Sequence, residues 1–170
     1  DHIISKTRNK NEIIGIFIDL KKAFDSISHD ILINKLNYYG ISGPFNNILS
    51  SYLSERYAYT SVDGICSERK QIKFGVPQGS ILGPTLFSLY INDIKYLCKN
   101  YDINLFADDM GLFCSDQDWQ SLITKCNNAL KDCSEWLISN RLTLNVNKTH
   151  FLNFSNNQVC PMTDLKIGSS

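Results

Sequence analysis

At 170 residues the chain is long enough for one domain with a real core, and its 43% hydrophobic and 20% charged composition is that of an ordinary globular protein. Seventeen basic residues balance seventeen acidic ones, and this zero net charge neither advertises nor excludes a nucleic-acid partner. No run approaches the roughly 18 apolar residues of a membrane span, and no signal peptide opens the chain. The chain starts at Asp1 without Met and stops at Gly168-Ser169-Ser170, which reads as a fragment of something longer. Cys66, Cys98, Cys114, Cys126, Cys133 and Cys160 form no C-x-x-C pair and lie mostly inside apolar patterns. They read as buried reduced thiols rather than zinc ligands or disulfides, which fits a cytosolic or nuclear compartment.

Residues 1–12 are polar and mixed, the end of a helix or a frayed entry. Ile13-Ile14-Gly15-Ile16-Phe17-Ile18 is a continuous, largely β-branched apolar run, the pattern of a central strand buried on both faces. It ends in Asp19. A carboxylate at the end of a buried strand suits catalysis or metal binding, and a helix N-cap would look similar. Ser28-His29-Asp30 opens a helix with Ile31, Leu32, Leu36 and Tyr39 at helical spacing and Gly40 as its stop. His29 reads as part of that cap in preference to a metal ligand. After Gly43-Pro44 a second helix carries Phe45, Ile48, Leu49, Tyr52 and Leu53 on one face. Residues 57–62 and 68–74 alternate as two strands, with Asp63-Gly64 a hairpin signal between them. The basic clusters Lys6/Arg8/Lys10, Lys21/Lys22 and Arg69/Lys70/Lys73 read as solvated surface.

The stretch G-V-P-Q-G-S-I-L-G-P, residues 75–84, is a shaped loop that either presents backbone amides to a phosphate or base or is plain turn chemistry. A helix over about 84–98 follows, with Pro84 in its first turn and Leu86, Phe87, Tyr90, Ile91 and Ile94 on its apolar face. Phe106-Ala107-Asp108-Asp109 then joins two short apolar strands. Adjacent like charges between apolar strands are costly unless a cation offsets them, and Mg²⁺ is held by one or two carboxylates plus substrate phosphates. From the residues alone a structural turn and a metal site stay equally open. Trp119 to Leu137 is a long amphipathic helix. Leu142, Leu144 and Val146, then Phe151, Leu152 and Phe154, suggest two further strands around Asn147-Lys148-Thr149, with one short strand at 165–167.

The ordered set F-I-D-L-K-K-A-F-D, S-Y-L-S-E-R, G-V-P-Q-G-S-I-L-G-P, F-A-D-D and L-N-V-N-K-T resembles the palm of reverse transcriptases, over roughly residues 13–155. K-A-F-D, Y-L-x-x-R and the Pro-Gln-Gly-Ser loop point to the non-LTR (LINE-like, jockey-type) retrotransposon branch. The resemblance implies an α+β polymerase palm, a small antiparallel sheet packed against helices, with partial fingers and no thumb. It reads residues 1–170 as a single partial reverse transcriptase domain of a longer polyprotein. In the expected fold the Asp19 strand lies beside the Asp108-Asp109 hairpin, with the 118–139 and 84–98 helices on one face.

The resemblance assigns roles to individual residues. Asp19, Asp108 and Asp109 match the metal-binding and catalytic aspartates, and Lys148 matches a lysine that can protonate the pyrophosphate leaving group. Phe24 matches the aromatic that excludes a ribose 2′-OH, and Gln78 and Gly79 match the loop beside template and incoming nucleotide. Phe106 keeps the aromatic of the hairpin where many relatives carry Tyr. The implied activity is RNA-directed DNA polymerisation by two-metal phosphoryl transfer, with two Mg²⁺ ions (Mn²⁺ as the alternative), an RNA template, a DNA primer and dNTPs. The expected location is intracellular, in nucleus and cytoplasm, with no membrane association. The alternatives are a group II intron-type or telomerase-like enzyme, or a host-retained palm that only binds nucleic acid.

Overall fold

Residues 12–97 and 101–154 are described by a computed structural model of the chain. Of the expected entry segment over residues 1–12 only Glu12 is among them, and it opens the first strand; the short strand at 165–167, Cys98 and Cys160 lie outside them. In chain order the elements are β1 (Glu12–Ile18), α1 (His29–Tyr38), α2 (Pro44–Leu53), the two-residue strands β2 (Tyr57–Ala58), β3 (Ser61–Val62), β4 (Ile65–Cys66) and β5 (Lys70–Gln71), α3 (Leu82–Ile91), β6 (Asp102–Phe106), β7 (Asp109–Asp116), α4 (Trp119–Ser139) and β8 (His150–Asn153). Short 3₁₀ segments lie at Ala23–Asp25, Asn92–Leu97 and Val146–Lys148. The chain forms two compact units, one from the residues up to Lys21 and from Asp93 onward, the other from Lys22–Asn92.

The first unit is a four-stranded antiparallel sheet in the order β6-β7-β1-β8, covered by α4. Alternation along β1 sends Ile14, Ile16 and Ile18 to one face, where they stand opposite Cys114, Leu112 and Met110 of β7. Helix α4 lies on this face, burying a stripe that includes Leu122, Cys126, Ala129, Cys133 and Leu137, spaced by three or four residues, with Leu130 beside it. Cys133 Sγ reaches Met110 Sδ at 3.6 Å. Each fully buried Leu or Ile here contributes about 1.5–3 kcal/mol relative to exposure. Helix α4 starts where the Asp118 carboxylate accepts a hydrogen bond from the Ser121 amide at 2.9 Å.

The other face of the sheet is more open than the sequence suggests. Phe17 of β1 is 39% exposed, so the strand expected to be buried on both faces is fully buried on only one. β6 is an edge strand and only half-buried. The expected strand over 142–146 is also absent. Leu144 makes a single bridge to Leu20, after which Asn145 bonds back to Asp19 and the chain tightens into the Val146–Lys148 turn. The expected strand from Phe151 onward is present as β8.

In the second unit α1 buries Leu32 and Leu36 and packs against both α2 and α3. Lys35 donates from Nζ to the Tyr90 carbonyl at 2.6 Å, tying α1 to the last turn of α3. The apolar face expected on α2 is only partly buried. Leu53 and Asn46 are buried, whereas Phe45 and Ile48 are exposed. The Asp63-Gly64 hairpin forms with positive φ at both residues, as a type I′ turn requires. Its strands are shorter than the alternation over 57–62 and 68–74 implied: β3 pairs with β4 beside the turn, and β2 with β5 farther out. The interruption follows from an exposed ribbon that buries neither face. The expected 84–98 helix begins two residues earlier, at Leu82, and its α-helical part ends at Ile91.

The Gly- and Pro-rich loop is laced to the segment after β1. The Gly75 amide donates to Ile27 O at 2.7 Å, the Val76 amide to Phe24 O at 2.9 Å, and His29 Nε2 lies 2.8 Å from Gly75 O. Gly75 is required twice over. Its φ is +81°, and a Cβ there would sit 2.8 Å from the Asp25 Cα and 2.9 Å from its carbonyl oxygen. Gly75→Ala should therefore cost about 2–4 kcal/mol, combining left-handed strain with a backbone clash that cannot relax alone. A denaturant midpoint unchanged from the parent would contradict this account of the loop.

Candidate active site

The F-A-D-D segment forms its turn at some conformational cost. Phe106 and Asp109 pair across β6 and β7, leaving Ala107 and Asp108 as a two-residue loop. Ala107 has φ +53° and Asp108 does not share the positive sign, the pattern of a type II′ turn with its usual Gly replaced by Ala. The strands continue in a register that matters more. The last pair of β1 and β7 is Ile18 with Met110; Asp19 follows the one in the chain and Asp109 precedes the other, so both carboxylates adjoin this pair. Both carboxylates emerge at neighbouring strand ends on the face away from α4.

That face holds a cleft of about 640 Å³, whose lining includes Asp19, Asp109, Phe106, Lys148, His150 and Phe113. The Phe113 ring lies across the sheet, 5.9 Å from the Phe17 ring in an edge arrangement. A Cβ at Gly15 would meet it at 3.1 Å and the Phe154 ring at 2.7 Å. Asp108 is half-buried in the turn and is not part of the cleft lining. Among the expected site residues the fold thus gathers Asp19, Asp109, Phe106 and Lys148 in one place, with Asp108 adjacent to Asp109 in the chain.

Asp19 is held from a segment far away in sequence. Asn145 donates from Nδ2 to Asp19 Oδ2 at 2.8 Å and from its backbone amide to Asp19 O at 2.8 Å. The Asn145 carbonyl accepts in turn from the Lys148 amide at 3.0 Å and from Thr149 Oγ1 at 2.9 Å. Asn145 stood inside the L-N-V-N-K-T motif, three residues before Lys148, but nothing in its spacing revealed a partner 126 residues away. His150 was equally unmarked. Its place in the cleft follows from its pairing with Phe17 across β8 and β1.

Phe24, Gln78 and Gly79 belong to the second unit, where the laced loop brings their segments together. Phe24 stacks on buried Phe87, centroids 4.6 Å apart and planes 30° from parallel. Gln78 is exposed and donates from Nε2 to Asp25 Oδ1 at 2.8 Å. Gly79 is exposed with φ +80° and open space around it. His29, expected at the α1 cap, is the residue whose ring bonds the Gly75 carbonyl.

The donor set suits a hard divalent cation. Carboxylate oxygens are the side-chain donors of Asp19 and Asp109 in the cleft, and no cysteine lines it. Among the described residues no group of three or more His, Cys, Asp or Glu side chains forms a ready-made cage for a metal ion. Ala107→Gly should raise stability by about 0.5–1 kcal/mol, because relief of left-handed strain outweighs the chain entropy glycine adds. A lower denaturant midpoint in that variant would show that Ala107 carries no strain.

Comparison with known proteins identifies the family and the fold. Residues 2–163 match the family described as reverse transcriptase (RNA-dependent DNA polymerase). The chain is 28% identical over 165 residues to the RNA-directed DNA polymerase from mobile element jockey of Drosophila melanogaster, covering 92% of this chain and 18% of the relative. It is 32% identical over 145 residues to the probable RNA-directed DNA polymerase from transposon BS of the same fly, covering 80% and 15%. The chain thus spans less than a fifth of the length of these curated relatives. The structure of telomerase from Candida tropicalis in complex with a fragment of telomeric RNA superposes with a TM-score of 0.68 at 14% identity, covering 92% of this chain and 29% of that one. At that identity the likeness shows the fold alone, an α+β polymerase palm. The chain belongs to the reverse transcriptase family, on the non-LTR retrotransposon branch that jockey represents.

Proposed function

We propose that this chain is the catalytic palm of an RNA-directed DNA polymerase of a non-LTR retrotransposon, adding dNTPs to a DNA primer 3′-OH on an RNA template. The observation that carries the reading is the one cleft lined by Asp19, Asp109 and Lys148, next to the last β1–β7 pair, Ile18 with Met110. The jockey relative has twice the identity of the telomerase structure over the same share of the chain, which favours the retrotransposon reading over the telomerase-like one. The protein would act inside the cell, in nucleus and cytoplasm.

Nucleotide addition is an in-line phosphoryl transfer, so the protein's task is positioning and charge neutralisation. Asp19, Asp108 and Asp109 would hold two Mg²⁺ ions, or Mn²⁺, which when bound activate the attacking oxygen and stabilise the leaving one. Lys148, exposed in the cleft, would carry at Nζ the proton passed to the departing pyrophosphate. Phe24 would act by shape, its ring filling the space a ribose 2′-OH needs and so selecting deoxyribonucleotides. Its stacking on Phe87 fixes the ring for that role. Gln78 and Gly79 would lie against template and incoming nucleotide, with Asp25 orienting the Gln78 amide.

In the full-length protein, Asp19→Asn and Asp108→Asn should each cut primer extension by at least about 10²–10³-fold while the fold persists. Near-normal extension by either variant would remove that residue from the catalytic set. Phe24→Val should raise ribonucleotide use relative to deoxyribonucleotide use by about 10–100-fold in kcat/KM. If Phe24 is only a packing aromatic, the same change lowers stability and leaves the ratio alone, so an unchanged ratio in folded protein refutes the gate.

A further inference from the structure

We infer that Asn145 is the positioning residue for the Asp19 carboxylate, fixing which of its two oxygens is presented to a cation in the cleft. The inference rests on the reading of Asp19 as a metal ligand. Asn145 takes Asp19 Oδ2 as its acceptor at 2.8 Å, which leaves Oδ1 as the oxygen without this bond. A carboxylate at a strand end is otherwise free to rotate about two side-chain torsions. A directed hydrogen bond from a side chain that is itself anchored removes that freedom before any cation arrives.

The donor's chemistry is informative. A carboxamide is neutral, so it orients Asp19 without cancelling its charge, whereas Lys or Arg at the same point would compete with a divalent cation. The anchoring is also separable from the fold. The Asn145 amide to Asp19 O, the Lys21 amide to Thr143 O at 2.8 Å, and the Leu20–Leu144 bridge are all backbone interactions that survive any side-chain change. Removing the side-chain amide therefore frees the carboxylate while its strand end stays tied. Asn145 further accepts at its carbonyl from the Lys148 amide and Thr149 Oγ1, so the residue that aims Asp19 also pins the turn bearing Lys148.

The test compares the full-length protein with its Asn145→Ala and Asn145→Ser variants, the hydroxyl of Ser being too short to span the gap. Fe²⁺ with ascorbate is used as a probe, because hydroxyl radicals generated at a bound iron cut the backbone beside it, and this readout needs no catalysis. Primer extension is titrated with Mn²⁺ in parallel. The parent should be cut near Asp19 and near the 108–109 turn. Asn145→Ala should need about 10–100-fold more Fe²⁺ for the same cutting and a similarly raised Mn²⁺ concentration for half-maximal extension, with most of the rate recovered at saturating Mn²⁺. A folded Asn145→Ala or Asn145→Ser protein with parental midpoints for both ions overturns the inference. Loss of the folded state in both variants also overturns it, by making Asn145 a structural residue. If the parent itself shows no cutting near Asp19 and Asp19→Asn extends primers normally, the metal reading of the cleft fails first.

Discussion

Everything proposed for the cleft depends on the register between β1 and β7. In an antiparallel pair a slip of one residue turns every side chain to the opposite face. Ile14, Ile16 and Ile18 would then point outward, and Asp19 would be driven toward the apolar face under α4. Burying an ionised carboxylate there without a partner is far more costly than exposing one isoleucine. The hydrophobic stripe of β1 and the position of Asp19 are therefore one constraint. The same isoleucines that lock the sheet to α4 keep the half-buried Asp19 at the end of the strand in the cleft that Asp109 also lines.

Strong local patterns made much of this legible in advance. The apolar run ending in Asp19, the F-A-D-D turn and the long stripe of α4 each appear where their periodicity placed them, because burial period and element type agree. The failures share a cause as well. Alternation over 142–146 looks like strand where the backbone is engaged otherwise, and over 57–62 it overstates the length of the paired strands that do form. Asn145 bonds Asp19 instead, and the ribbon beyond Tyr57 has no core to cover. Phe45 and Ile48 on α2 mislead in the same way, since helical spacing shows that a face exists without showing which face meets a partner.

The loop of the second unit shows how far a motif alone can be read. Its Gly and Pro content announces a shaped backbone, yet leaves open whether the shape serves a ligand or only a turn. The structure adds what holds the shape: Gly75 pressed against the Asp25 backbone, and the ring of His29 on the Gly75 carbonyl. Three segments of the unit, Phe24–Ile27, His29 and the loop itself, fix one another through backbone-directed bonds. A loop fixed this way loses little further entropy when it meets a ligand, which is the condition for preorganised binding.

The two acidic residues of the F-I-D-L-K-K-A-F-D stretch are treated alike within their separate units. Asp19 receives an amide from Asn145, and Asp25 receives one from Gln78, both at 2.8 Å. Each donor comes from another of the shared motifs, L-N-V-N-K-T in one case and the Pro-Gln-Gly-Ser loop in the other. At Asp19 an ion pair would have held the carboxylate as firmly while cancelling the charge that the proposed cation would find. A carboxamide constrains direction and leaves the charge intact, which suits the divalent-cation role proposed for Asp19. The motifs are thus engaged with one another in pairs. For Asp19 the carboxylate lies in one motif and the neutral side chain that aims it lies in another.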